Sequence, residues 1–173
     1  ASHRDRKISE RAKALIAKGG GLPDADRQKV IDQLAPMVLK GGDSAKGKVV
    51  FTQQCAKCHT YGGEGGTVGP DLTGLGTHPR EELPIHLIDP SRSVEGNFVQ
   101  DTLATTDGRV LNGLLASESK TAVELLDAEG KKFQILRDQI EEFAASKKSI
   151  MPEGFEKQVG PEGVADLLAY LTK

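Results

Sequence analysis

Tryptophan is absent from this chain of 173 residues, and aromatic side chains make up only 4% of it. With 37% of its residues in the hydrophobic set, the chain has little material for a core of its size. No apolar run approaches the length of a membrane-spanning helix. There is no basic surplus either. A net charge of −2 leaves nothing to neutralise a phosphate backbone, which excludes nucleic acid as a partner. No signal peptide is visible. Cysteine is nearly missing as well: Cys55 and Cys58 are the only two, so neither a disulfide framework nor a multi-thiol cluster can be built beyond them.

Those two cysteines stand in the pentapeptide Cys55-Ala56-Lys57-Cys58-His59. This is the spacing that anchors a c-type haem, in which two thiols add to the vinyl groups and the adjoining imidazole becomes the proximal iron ligand. A haem would also offset the thin core, because its porphyrin contributes apolar area as several side chains would. Two other chemistries use the same spacing. A redox dithiol would follow a strand and open a helix within a βαβ pattern; here the motif follows a helix-like run and leads into a glycine-rich loop. A zinc site needs two more ligands at familiar spacing, and His78 and His86 are too far apart for the usual pairing. Haem attachment in bacteria takes place outside the cytoplasm, so a signal or upstream domain is expected to have been removed ahead of Ala1. A periplasmic or otherwise extracytoplasmic location follows from the same expectation.

The chain divides into an N-terminal helical arm or linker (1–42), a helical core in two pieces (43–96 and 138–173), and an insert (97–137). In the arm, Ile8, Ala12, Leu15 and Ile16 mark one apolar stripe, and Val30, Ile31, Leu34 and Val38 mark another. Pro36 is expected to kink or end the second helix. Asp43 or Ser44 caps a third helix that delivers Cys55 at its end. Gly47 on that helix offers a close approach for the last helix, near Phe51 and Tyr170. A short helix spans 81–88. Within the insert, Phe98–Thr105, Val110–Ala116, Thr121–Leu126 and Lys132–Leu136 are rich in β-formers and separated by turn residues, Asp107-Gly108 among them. Pro161 opens the final helix, whose stripe is Val164, Leu167, Leu168 and Leu171. The fold class expected is mainly α, with an inserted antiparallel β-meander of about four strands.

The second axial position decides what the iron does. Its candidates are Met151, Met37, His78 and His86. Met151 stands far downstream of His59, in a loop before the last helix, and Pro152 biases it toward extended backbone. Met37 sits on a helical stripe, where packing is its ordinary use. On the proximal side, a backbone carbonyl around Gly69-Pro70 is the natural acceptor for the second ring N–H of His59, and Leu72 and Leu75 can pack on the ring.

The pattern Cys55-x-x-Cys58-His59, Gly69-Pro70-x-Leu72 and Met151-Pro152 before an amphipathic C-terminal helix resembles a class I monohaem cytochrome c. Gly62-Gly63-Glu64-Gly65-Gly66, Leu87-Ile88-Asp89-Pro90 and Asp107-Gly108-Arg109 make it similar, more narrowly, to the terminal haem-binding domain of large multidomain bacterial proteins of the Planctomycetes–Verrucomicrobia type. The resemblance covers roughly residues 43–173. It implies one haem c on Cys55 and Cys58, His59 and Met151 as iron ligands, and extracytoplasmic electron transfer with a redox partner or a tethered dehydrogenase domain. The β-insert departs from the pattern of small cytochromes.

Two further readings stay open. An open or displaceable sixth site would make the chain a haem enzyme or gas sensor of a peroxidase-like kind, for which His78-Pro79-Arg80 is the sole distal candidate. The insert, for its part, is either a structural cover over one haem edge or an interaction platform through which the chain forms a homodimer.

Overall fold

The computed structural model describes residues 24–173; the stripe around Ile8–Ile16 lies outside them. Helix α1 (Ala25–Lys40) starts where Asp24 accepts hydrogen bonds from the backbone N–H groups of Asp26 and Arg27, satisfying two of the donors that a helix start leaves orphaned. It runs on past Pro36 to Lys40, so of the two outcomes expected of the proline, a kink or an end, the end does not occur. Leu34 and Val38, either side of the proline, are both buried, and their packing outweighs the lost hydrogen bond. Helix α2 (Ser44–Val50) has Asp43 as its cap, accepting from Ala45 and Lys46. It continues into a π-helical turn over Phe51–Cys55. After the short hairpin β1 (Thr60–Tyr61) and β2 (Glu64–Gly65) comes α3 (Leu83–Ile88). The last helical stretch, α4 (Phe155–Leu171), breaks at Gly160, whose φ of 71° suits glycine, and Pro161 begins its longer part.

These helices share one core. Ile31, Leu34 and Val38 of α1 meet Phe51, Leu83, Ile88, Val164 and Leu167. The described part of the segment read from sequence as an arm or linker therefore supplies a wall of this core. A buried ion pair fastens it: Arg27 donates to both carboxylate oxygens of Glu156, at 3.2 and 3.0 Å, while its Nε donates to the Ile88 carbonyl at 2.8 Å. This bidentate geometry with a third acceptor satisfies the guanidinium as it is desolvated.

The expectation of a mainly α fold with a small four-stranded insert is overturned. The described residues are 40% helical and 26% strand, and the main sheet has five strands in the order β6-β5-β4-β3-β7. These are β3 (Val99–Thr105), β4 (Val110–Glu118), β5 (Ala122–Leu126), β6 (Lys132–Leu136) and β7 (Ile140–Ser149). The first four form the expected meander. The fifth, which sequence placed with the helical core, pairs antiparallel with β3 at the opposite edge. Residues 137–139 thus link the two edges of the sheet. Flat, those edges would lie about 19 Å apart, and so short a link spans only about 14 Å. The sheet must curl. Register shifts in the β3–β7 and β4–β5 ladders provide the bend, and Leu103, Val123, Leu125 and Ile135 fill the inside as a second core.

Candidate functional site: the haem crevice

The Cys-x-x-Cys-His motif leaves the π-helical turn as a tight coil. The N–H groups of Cys58 and His59 both reach the Cys55 carbonyl, at 3.0 and 2.9 Å. The chain then folds back: Gly66 N donates to Ala56 O and Gly69 N to Cys58 O, each at 2.8 Å. Glycine is required at the return. A Cβ on Gly69 would lie 2.6 Å from Cε1 of the His59 ring, inside any tolerable contact. The fold-back also brings the Pro70 carbonyl to the ring, where Nδ1–H of His59 donates to it at 2.9 Å. That bond fixes the tautomer and leaves Nε2 as the nitrogen with a free lone pair.

Beside this imidazole lies a cavity of about 480 Å³. Cys55, Cys58 and His59 form one part of its wall, Gly69, Pro70 and Leu72 another, and Met151 a third. Leu83, Leu87, Leu167, Leu168 and Leu171 make the rest of it largely apolar. All seven residues singled out from sequence therefore meet at one cavity. His78 and His86 also border it; Met37 and the arginines Arg80 and Arg92 do not. Arg80 donates to Thr172 Oγ1 and Arg92 to Gln28 Oε1.

The donor set decides among the three chemistries that the motif allows. Burial, reinforced by the neighbouring Cys58, pushes the Cys55 thiol up to about 12. A redox dithiol works through a lowered thiol pKa, so this environment is the wrong one for it. Among the described residues, no group of three or more His, Cys, Asp and Glu side chains could hold a metal ion, so none of them supplies Cys55 and Cys58 with the two further ligands that a zinc site needs. The set fits haem: two thiols free of any disulfide and an oriented imidazole on an apolar cavity, with the Met151 thioether bordering the same cavity.

Sequence reasoning offered the insert as a cover over one haem edge but named none of its residues at the site. Phe98, just before β3, and Ala128, in the turn between β5 and β6, both border the cavity. Nothing local signals it: Ala128, for one, meets Cys58 across seventy residues of chain.

Gly69→Ala isolates the close approach of backbone and ligand. The added methyl is expected to tilt His59 off the Pro70 carbonyl, cutting the yield of low-spin haem protein about 10- to 100-fold, the range seen when partners of metal ligands are lost. The absorption spectrum per mole of chain checks it; an unchanged spectrum would mean the ring yields without leaving its acceptor.

A model of the cytochrome c family matches residues 44–173. Members of that family bind covalently attached haem c with its iron, and haem-based electron transfer is their function. With three quarters of its length matched and a cavity that suits this group, the chain belongs to the cytochrome c family.

Proposed function

We propose that this chain transfers electrons outside the cytoplasm through a single haem c, held by Cys55 and Cys58 and ligated by His59 and Met151, as a module of a larger redox protein. Bound haem c supplies reversible one-electron exchange between ferric and ferrous iron. The observation that carries the reading is the convergence of both cysteines, the Pro70-bonded His59 and Met151 on one apolar cavity.

The chain's own groups have distinct tasks in this reading. Cys55 and Cys58 anchor the group from the end of α2 and its π-helical turn. His59 offers Nε2 because its other nitrogen is engaged. Met151 offers a neutral sulfur, which favours ferrous iron and raises the potential relative to a second imidazole. The leucines of α3 and α4 keep water out, which limits the reorganisation that accompanies a change of charge. No acid–base pair is needed. The electron partner is a separate redox protein or a tethered dehydrogenase domain.

Ferric and ferrous spectra under carbon monoxide test this against the enzyme or sensor reading. Protein matured with haem is expected to be six-coordinate and low-spin in both states, and indifferent to the gas. High-spin ferric iron, or rapid binding of carbon monoxide, would move the function to small-molecule chemistry.

A further inference from the structure

Residues 127–131 join β5 to β6 through a turn that is rigid in its own right. Gly130 N donates to Asp127 O at 3.0 Å and Asp127 N to Lys131 O at 2.9 Å. The Asp127 carboxylate accepts from the N–H groups of Glu129 and Lys131, at 2.9 and 2.8 Å. Gly130 takes a φ of 78°, closing a type I turn with a left-handed residue.

Two of its tip residues touch the haem-attachment region, and the third faces a neighbouring part of the cavity wall. The Cys58 thiol donates to the Ala128 carbonyl at 3.6 Å, and Ala128 borders the cavity. Glu129 pairs with Lys57 at 3.1 Å. A Cβ built on Gly130 would lie 3.6 Å from Cγ2 of Val68, another residue of the cavity wall. The ion pair is not what seats the turn, because both its side chains are more than half exposed and such pairs contribute little. The seat is set by the turn's internal bonds and by the β5–β6 register, in which Leu126 faces Lys132.

We propose that Ala128, Glu129 and Gly130 form a cover over the Cys58 edge of the haem crevice and raise the reduction potential by excluding water there. This rests on the haem reading above, with Cys58 as an attachment atom. Ferric haem carries one more positive charge than ferrous haem, so a dry edge disfavours the ferric state. The turn also carries a charge with the opposite effect: the Glu129 carboxylate favours ferric iron, partly offset by Lys57. The two mechanisms predict opposite signs when the turn is cut back.

In the matured holoprotein, replacing Ala128-Glu129-Gly130 by Asn-Gly retracts the tip and removes the carboxylate together. The cover predicts a lower potential, about a tenfold shift in equilibrium with a mediator couple, equivalent to about 59 mV for one electron. Backbone hydrogen exchange at residues 57–60 should accelerate while that of 163–171 stays unchanged, which excludes general unfolding. Gly130→Val, which keeps Glu129 but disfavours the turn, should shift both readouts in the same direction. A potential that rises or stays put in the shortened variant overturns the cover. Failure of the haem reading shows separately, as an unshortened protein whose mass carries no covalent haem adduct.

Discussion

Met151→Ala is expected to erase the weak long-wavelength sulfur-to-iron charge-transfer band of the ferric protein and to lower its reduction potential by a few tenths of a volt. That drop falls within the span of about 0.8 V over which axial ligands set haem potentials. The reasoning begins with how the sulfur is delivered. Strand β7 ends at Ser149, which is paired with Val99 of β3 and donates its N–H to Ser91 Oγ at 3.3 Å. Its hydroxyl accepts the N–H of Met151 at 3.2 Å. Pro152 follows and restricts Met151 toward extended backbone. The methionine is therefore presented from a fixed strand end, and little ordering entropy is left to lose when its sulfur binds. Met37→Ala is the matched control: Met37 lies on α1 away from the cavity, so the same chemical change there should leave band and potential unaltered. Two outcomes would sink the assignment of Met151. One is a band that survives the substitution. The other is a wild-type spectrum that is low-spin without the band, which would point to His78 or His86, the other two candidates bordering the cavity.

Much of this site was legible because its determinants are local. The attachment motif, the glycine–proline return that brings a carbonyl to His59, the caps at Asp24 and Asp43, and the 3.6-residue stripe on α4 each lie within a few residues of what they control. Strand β7 was not legible. Its sequence, Ile140-Glu-Glu-Phe-Ala-Ala-Ser-Lys-Lys-Ser, is rich in helix formers, and its two core-facing side chains, Ile140 and Phe143, are three apart, as on a helix. It becomes a strand through pairing with β3 across forty residues of chain, with bulges that break strict alternation. The same holds for the turn at 127–131. Its hydrogen bonds predict a hairpin tip, but nothing within the hairpin says that the tip will rest on Cys58. The sheet thus meets the crevice twice, at the exit of β7 toward Met151 and at the β5–β6 turn. Both meetings are long-range.

Gly47→Val should be the most damaging substitution outside the haem ligands, because it wedges apart the two helices that frame the crevice. A Cβ at Gly47 would collide with the Asp166 carbonyl and lie 2.8 Å from Tyr170 Cβ; at Gly42, one would lie 2.5 Å from the backbone of Ala165. Helices α2 and α4 therefore cross with backbone against backbone, and no flexible side chain is available to give way. Overpacking typically costs about 1–3 kcal/mol, occasionally more, and this contact belongs at the upper end. At about 3 kcal/mol the urea midpoint of the holoprotein should fall by about 1–2 M, out of a total stability of about 5–15 kcal/mol. The consequence reaches the iron site. Tyr61, two residues after His59, donates its hydroxyl to the Tyr170 carbonyl at 3.0 Å, and its ring lies 4.9 Å from that of Tyr170. Leu167, Leu168 and Leu171 of the displaced helix border the cavity itself. A shifted α4 should therefore loosen haem ligation as well as lower stability, visible as a growing high-spin fraction before global unfolding. Gly74→Val separates crowding from the loss of glycine as such: Gly74 has an ordinary φ of −89° and open space where its Cβ would be. Equal effects at positions 47 and 74 would mean that the close helix crossing contributes nothing of its own. A large effect at 47 alone would identify the crossing as what holds the walls of the crevice at their spacing.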